Sequence, residues 1–430
     1  MRLRWILLWA AVILAAPASA EEYAFDAAEF EKKPFELGGY VELKQDQFQL
    51  NRNAAFYKLG YYRLDQRDTL ERTTGALELT GKYTQGSATF NFRGHTDATQ
   101  DNLASAQENR VYEAYASFKP DPGFTLDLGK KTLRWGKGYA WSPVGFVERP
   151  KDPNDPELSR EGYTVAAADF IRNFDGPLKT LALTPLLLPV GADVNSDFGK
   201  PGHVNVAAKL YFLYRDTDID LVYLGRGSRT PRFGMDFSRN LTSNLEIHGE
   251  WARITDAEQK VTNASGVTTT QQGNVTSSLL GMRYLTENDT TAILEYYRNG
   301  TGYTQSQMND FYRFVDNGLS QFQTTAGDVL LQRALNLSQA GYGRPNPMRN
   351  YVYARISRKE PFDVLYFTPS VTAIMNLDDR SYSITPELLY TGITNLELRF
   401  RLYALNGDTQ TEFGEKQNLR RMELFTRYYF

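Results

Sequence analysis

The sequence predicts an all-β chain folded as a transmembrane antiparallel β-barrel of about 18 strands, and three observations predict it. The C-terminal segment alternates cleanly, the composition is dilute in hydrophobicity yet rich in aromatics, and the connections between period-2 segments sort by length into two sets. From Leu419 to Phe430, Met422, Leu424, Thr426, Tyr428 and Phe430 share one face, while Arg421, Glu423, Phe425, Arg427 and Tyr429 share the other. A mostly apolar face backed by a charged one suits a wall between lipid and water. The 430 residues are 41% hydrophobic with a mean hydropathy of -0.48, yet include 27 Tyr and 25 Phe. That balance fits a barrel, in which every second strand residue meets lipid and aromatic girdles mark both interfaces. A soluble secreted β-domain can share the composition, so the periodicity decides.

At the N-terminus, Arg2 and Arg4 precede an apolar run from Trp5 to Ala16, and Pro17-Ala18-Ser19-Ala20 supplies a small-residue cleavage site. The run is shorter than the ~20 residues a spanning helix needs, so residues 1–20 read as a secretory signal and 21–430 as one barrel domain. Formal net charge is -3, or -5 without the two leader arginines, which gives no footprint for nucleic acid. The absence of Cys excludes disulfides, thiolate metal sites, a lipid-modified Cys anchor and covalent C-x-x-C-H haem attachment. No cofactor is expected.

Alternation bounded by turn residues predicts strands near 35–48, 73–84, 87–97, 110–119, 123–135, 163–173, 177–189, 203–215, 217–226, 230–240, 244–254, 276–286, 290–299, 350–358, 364–376, 380–391, 394–405 and 419–430. The C-terminal strand resembles the closing strand of bacterial outer-membrane β-barrel proteins. That resemblance implies that Phe430 is the signal read by the barrel assembly machinery and places Phe430 at the periplasmic end. Counting back from it, the periplasmic connections read TGITN, KEPFD, TENDT, NLTSN, RDTD, FDGP, KPDPG and TQGS, all short and rich in turn formers. The external set holds every long connection: 49–72, 98–109, 136–162, 190–202, 255–275, 300–349 and 406–418. An error of one strand in the middle would destroy this sorting. Beyond the hairpin rhythm there is no internal repeat.

Strand parity then assigns faces. Leu396, Leu398, Phe400, Leu402 and Ala404 face lipid, as do Leu245, Ile247, Gly249 and Trp251, and Val204, Val206, Ala208, Leu210 and Phe212. The inferred lumen carries Arg399, Arg401, Arg421, Arg427, Glu397 and Glu423 on one wall, and Asp220, Asp236, Glu246, His248 and Glu250 on the opposite one. Opposed cationic and acidic walls are expected to orient dipolar solutes. Glu246, His248 and Glu250 have a spacing that suits metal ligands or an acid–base pair, but pore-lining polar residues look the same and no second His or Cys completes a site. No nucleophile–base–orienter set emerges, so an enzyme is not expected. His95 and His203 read as solvated strand ends.

The most distinctive segment runs from Arg134-Trp135-Gly136-Lys137-Gly138 through Trp141-Ser142-Pro143 to Arg149-Pro150-Lys151-Asp152-Pro153-Asn154-Asp155-Pro156, with Arg160 and Gly162 leading into the next strand. Repeated Pro stiffens it, and interleaved Asp and Arg can form charge-assisted hydrogen bonds. Such a loop either folds inward as a constriction or braces the rim. In 300–349, Phe311, Tyr312, Phe314, Phe322, Leu330 and Leu331 are too apolar for a solvated loop, and 327–339 suits a short helix in the barrel mouth. Ser/Thr/Gln-rich 261–275 reads as a flexible loop, and Arg226-Gly227-Ser228-Arg229 as a tight turn that could meet lipopolysaccharide phosphate.

The W-G-x-G…P…D-P-x-D-P…R-x-G arrangement over 135–162 resembles outer-membrane barrel families related to the alginate-export and large porin-like groups. The resemblance implies a conduit of roughly 18 strands in the outer membrane, in contact with lipid and lipopolysaccharide, passing small hydrophilic solutes. Alginate exporters have an arginine-rich lumen, whereas acids accompany the arginines here. Export of a polymer, or a sheath around a periplasmic partner such as an electron-transfer cytochrome, are the alternatives.

Overall fold

The computed structural model describes residues 34–322 and 325–430. The expected signal, 1–20, lies outside them. Eighteen strands form one sheet: β1 (Phe35–Leu50), β2 (Thr69–Gln85), β3 (Ala88–Asp101), β4 (Ser105–Asp121), β5 (Phe124–Lys131), β6 (Tyr163–Asn173), β7 (Leu178–Val190), β8 (His203–Tyr214), β9 (Thr217–Leu224), β10 (Arg232–Thr242), β11 (Leu245–Thr262), β12 (Thr268–Leu285), β13 (Thr290–Arg298), β14 (Asn350–Arg358), β15 (Phe367–Asn376), β16 (Tyr382–Ile393), β17 (Leu396–Asn406) and β18 (Asn418–Tyr429). Each pairs antiparallel with the next, and β1 closes the barrel on β18, running from Tyr40 opposite Tyr429 to Gln49 opposite Arg420. Closure leaves no free strand edge, the condition for a sheet to sit in hydrocarbon.

Alternation is clear in the burial. On β8, Val204 and Val206 are exposed while Asn205 between them is fully buried; on β17, Leu402 is exposed and Arg401 buried. A one-residue slip would turn Arg399 and Arg401 outward, at ~2–4 kcal/mol each in a bilayer midplane. The two rims differ as parity requires. One carries connections of two to eight residues; the other carries 51–68, 132–162, 191–202, 299–349 and 407–417.

Several boundaries depart from the sequence expectation. β3 and β4 run on to a tight turn at 102–104, and β11 and β12 form a long hairpin closed by 263–267, so the expected loops 98–109 and 255–275 are largely strand. The 261–275 segment is polar but β-branched: Thr268, Thr269 and Thr270 pair with Thr262, Val261 and Lys260, and Thr favours a pleated surface over a free coil. β5 stops at Lys131 rather than 135. Leu133 and Trp135 leave the wall to join a buried cluster with Val144, Phe146 and Val147.

Three helices belong to the long-loop rim: α1 (Ala55–Tyr61), α2 (Gln305–Ser320) and α3 (Thr325–Leu337), the last continuing into a π turn at Ser338–Tyr342. α3 lies two residues ahead of the expected 327–339, while α1 and α2 were not anticipated. Thr304 caps α2, its side chain accepting from the Gln307 amide at 3.2 Å while the Gln307 side chain accepts from the Thr304 amide at 2.8 Å. The helices are joined by Lys58–Asp316 at 2.6 Å and Arg63–Asp328 at 2.6 Å.

At the seam, the Phe430 amide and carbonyl both pair with Gly39 at 3.1 Å, and a Cβ at Gly39 would come 3.0 Å from the Phe430 ring. The ring itself is half-exposed on the outer surface, where folding gains little from it. Deleting Phe430, or replacing it with Asp, is therefore expected to cut the amount of heat-modifiable barrel in the outer membrane severalfold without lowering the stability of the barrel that does form. Normal yields of both variants would remove its role in assembly.

Candidate functional site

The β5–β6 loop, 132–162, turns into the barrel. Gly136 makes the turn possible: its φ of 100° is the glycine region, and a Cβ there would lie 2.2 Å from Ser142 Oγ and 2.7 Å from Glu250 Oε1. From that turn the loop reaches the wall opposite its origin. The Glu250 carboxylate on β11 accepts from the amides of Lys137 (2.7 Å), Gly138 (2.6 Å) and Val144 (3.1 Å). Glu295 on β13 accepts from the amides of Tyr139 and of Ala140, the latter at 2.9 Å, and its Oε1 lies 2.8 Å from His248 Nε2. Trp141 stacks on Tyr297 with centroids 5.1 Å apart and meets Tyr351 and Tyr353 of β14. Asp155 crosses to β17, 3.0 Å from Arg401 and 3.3 Å from Arg399.

The expected acidic wall therefore exists, but it does not face solvent. Asp220, Asp236 and Glu250 stand in one row across β9, β10 and β11, and all three are buried under the loop together with His248. Lys137 covers the row with its ammonium 3.0 Å from Asp220. Glu246 stays half-exposed and accepts from Ser238 at 3.0 Å. With Glu250 held by peptide amides and His248 by Glu295, these residues, read as pore-lining, are instead committed to holding the loop. Among the described residues no cluster of three or more His, Asp or Glu is placed to hold a metal.

Inside the loop, Glu148 accepts from the Trp135 amide at 2.7 Å and pairs with Arg160 at 3.0 Å. Burial raises the Glu148 carboxyl, against the opposing pull of Arg160, and burial lowers Lys151, whose ammonium donates to the Gly138 carbonyl. Arg149 lies over the Tyr163 ring at 4.7 Å and pairs with Asp197 of the β7–β8 loop, so it braces the rim rather than the lumen. Asp152 turns back to the Asn154 amide at 2.9 Å. Arg134 is exposed and forms no ion pair among the described residues. The 226–229 turn divides: exposed Arg226 pairs with Asp256 at 2.8 Å, while Arg229 lies 3.9 Å over the Phe198 ring and donates to the Phe146 carbonyl at 3.2 Å.

The two halves of the inner wall differ in kind. Under the loop, the inward residues of β6–β11 include Val165, Ala167, Leu186, Leu188, Val190, Ala207, Val222, Leu224 and Ala252, which pack on Trp135, Val144, Phe146 and Val147. Along β18, β1, β2 and β3 the inward residues are mostly polar or charged, with Phe48, Leu50 and Leu70 clustered at the long-loop end. A cavity of about 530 Å³ opens there, bounded by Leu158 and Ser159 of the loop and by Tyr40, Glu42, Lys44, Asp46, Arg72, His95, Asp97, Arg421 and Arg427 of the wall. A further cavity of about 450 Å³, lined mainly by the loop, shares Leu158 with it, and one of about 420 Å³ shares Arg93 with that second space, so the three adjoin one another between loop and wall. His95, read as a solvated strand end, instead stacks on Tyr112 at 4.8 Å within this wall because β3 is longer than expected.

The arginines also separate into two roles. Arg421 pairs with Asp46 at 2.8 Å and with Glu423, and Arg427 pairs with Glu42 at 2.7 Å while covering the Tyr40 ring at 4.1 Å, so both cross the seam and border the cavity. Arg401 is buried against Asp155, Glu387 and Glu423, and Arg399 is held by Glu397 at 2.6 Å and by Asp155. These four cations do not make one open patch.

Above the loop, the helices and 299–349 pack on Trp141. Phe311, Tyr312, Phe314 and Leu331 are buried, with Phe322 and Leu330 partly so. Tyr342 stacks on Tyr303 at 4.0 Å and on Phe311 at 4.3 Å. Glu412, in the β17–β18 loop, is buried beneath this cap, accepting from Tyr351 at 2.6 Å and Asn376 at 2.8 Å with Oε1 unpartnered. Burial pushes its pKa from 4.5 up to about 7. The packed cap thus holds a proton that an opened cap releases, so packing is favoured below pH 4.5 and loses at most about 3 kcal/mol as pH rises through 7. Proteolysis within 299–349 is expected to be faster in the wild type than in Glu412→Gln at pH 8.5 and close to equal at pH 4. A ratio that does not change with pH would exclude Glu412 as the controlling proton.

The class these features define is a closed 18-stranded antiparallel barrel with an internally folded loop and a helical cap. No family model and no curated protein matches the chain. Among solved structures it is similar to Pseudomonas aeruginosa OccK5 (OpdH), at 12% identity and a TM-score of 0.53 over 92% of this chain and 98% of that one. A triple mutant of Rhodopseudomonas blastica porin matches at 11% identity and a TM-score of 0.44 over 92% of this chain and all of the other. The first likeness establishes a shared barrel fold.

Proposed function

We propose that the protein is an outer-membrane channel through which small hydrophilic solutes diffuse, with the short-turn rim in the periplasm and the β5–β6 loop setting the narrowest cross-section. The observation that carries this reading is the asymmetry of the inner wall. The half covered by the loop is packed shut, apolar except for the buried acidic row of β9–β11; the half left open is mostly polar and charged, with cavities between it and the loop. Barrel interiors filled for stability alone need no polar wall, whereas a water-filled path does. The fold shared with OccK5 and the outward apolar band support the same reading. The open wall alternates Glu42, Asp46 and Asp97 with Lys44, Arg72, Arg421 and Arg427, which suits small solutes of either sign better than the bulk export of a polyanion.

Purified, refolded barrel in a planar bilayer tests it. Discrete single-channel steps, together with liposome swelling that falls off as solute size rises, are the expected results. An ion-tight barrel would overturn the channel reading and leave the sheath around a periplasmic partner.

A further inference from the structure

One connection on the short-turn rim is out of proportion to its task. Seven of the eight there take two to four residues, whereas β14–β15 takes eight, Lys359 to Tyr366. Within it Glu360, Phe362, Asp363 and Tyr366 all adopt positive φ, from 47° to 62°. Such conformations are strained for side chains as bulky as Phe and Tyr, and a two-residue hairpin would have joined the strands with at most two of them. The consequence is display. Phe362 is 88% exposed, and Val364, Leu365 and Tyr366 beside it are exposed as well.

The segment is nonetheless held in place. The Tyr366 amide donates to the Glu360 carboxylate at 2.8 Å, the Glu360 amide to the Phe367 carbonyl at 2.8 Å, and Pro361 is buried. Its height is fixed by a bond to the neighbouring strand: the Thr391 amide donates to the Tyr366 carbonyl at 3.1 Å. Thr391 precedes the Thr394–Asn395 turn by three residues, roughly 10 Å of strand, so the Tyr366 end of the connection stands level with the end of the barrel wall, not below it. The chain passes from there directly into the outward surface, where Phe367 lies opposite Tyr390, and Leu388 and Ile393 are exposed. Arg358 and Lys359, both exposed, stand at the base of the turn.

We propose that the β14–β15 connection is a lateral membrane anchor, with Phe362, Leu365 and Tyr366 in the boundary between headgroups and acyl chains and Arg358 and Lys359 toward lipid phosphates. Continuity with the lipid-facing wall is what favours lipid over a periplasmic protein as the occupant. Aromatic and aliphatic side chains flanked by cations are the chemistry that this boundary takes. The anchor rests on the barrel spanning a bilayer, and the test separates the two.

Because the sequence contains no Cys, single cysteines can be labelled cleanly. Phe362→Cys and, on the mid-height outer wall, Leu402→Cys would each carry an environment-sensitive fluorophore. Both proteins would be refolded into phosphatidylcholine–phosphatidylglycerol vesicles that carry nitroxide quenchers either near the headgroup or at the bilayer centre, with heat-modifiable mobility confirming the fold. The expected result is a blue-shifted probe at 362 quenched by the shallow nitroxide, and a probe at 402 quenched by the deep one. Water-like, unquenched emission at 362 with normal quenching at 402 would overturn the anchor alone. Loss of quenching at both would overturn the membrane placement and the anchor with it. A probe at 362 that is unquenched in vesicles but shielded from aqueous quencher in native membranes would assign the turn to a protein partner instead.

Discussion

Combining Glu250→Ala with Glu295→Ala is expected to raise single-channel conductance severalfold while leaving the barrel heat-modifiable. The two carboxylates between them accept five loop amides, those of Lys137, Gly138, Val144, Tyr139 and Ala140. The remaining links of this stretch are side-chain ones, Lys137 to Asp220 and Trp141 to Asn346, with Lys151 and Ser142 bonding within the loop. A buried amide that loses its acceptor costs about 1–3 kcal/mol, so five such losses exceed what any single aromatic contact of Trp141 can return, at about 0.5–1.5 kcal/mol. The loop's other attachments, the cluster of Trp135, Val144 and Phe146 against β6–β11 and the pairing of Asp155 with Arg399 and Arg401, limit how far it can move. The 136–144 stretch should therefore loosen while the base of the loop stays docked. Conductance and open-channel noise in a planar bilayer measure this directly. Wild-type conductance from a folded double variant would mean that the loop does not set the narrowest cross-section.

The barrel was legible because its two decisive signals are local. Alternation places each strand, and the sorting of short and long connections fixes their number even where boundaries drift. All eighteen strands are found near their expected positions, since a wall apolar on its outward face punishes a register error at every charged residue. Boundaries failed where strands continue past the outward apolar band, as in 255–275, because there neither face must be apolar and the alternation fades.

The interior was harder to read, and the reason lies in what parity can express. Period 2 says that Asp220, Asp236 and Glu250 point inward; it does not say what fills the space in front of them. A signal for that was present in β7. Its Leu186, Leu187 and Leu188 are apolar on both faces, the mark of a strand with no water on either side, and Leu186 and Leu188 are indeed covered by the β5–β6 loop. Likewise, Gly136 and Gly138 beside Trp135 and Trp141 announced a loop that departs sharply with buried aromatics, but its acceptors, Glu250 and Glu295, lie more than a hundred residues away in sequence. Only the closed barrel brings them opposite.

Charge selectivity follows from which arginines border the open wall. The main cavity has four cationic side chains, Lys44, Arg72, Arg421 and Arg427, against the three acids Glu42, Asp46 and Asp97, so the wild-type channel is expected to discriminate weakly between small ions. Arg421→Gln with Arg427→Gln inverts that balance and frees Glu42 and Asp46 from their partners, which should move the reversal potential toward cation preference. Glu42→Gln with Asp46→Asn should move it the other way. Both shifts should grow in dilute electrolyte, because the Debye length lengthens from ~10 Å at 0.1 M to ~30 Å at 0.01 M. Arg399→Gln with Arg401→Gln is the contrasting case. Those side chains hold Asp155 and leave Glu387 without its closest partner when removed, so the expected effect is on loop position and conductance more than on ion preference. If instead the 399/401 pair shifts the reversal potential at low salt and the 421/427 pair does not, the conducting path runs along β17 beneath Asp155 rather than along the β18–β3 wall.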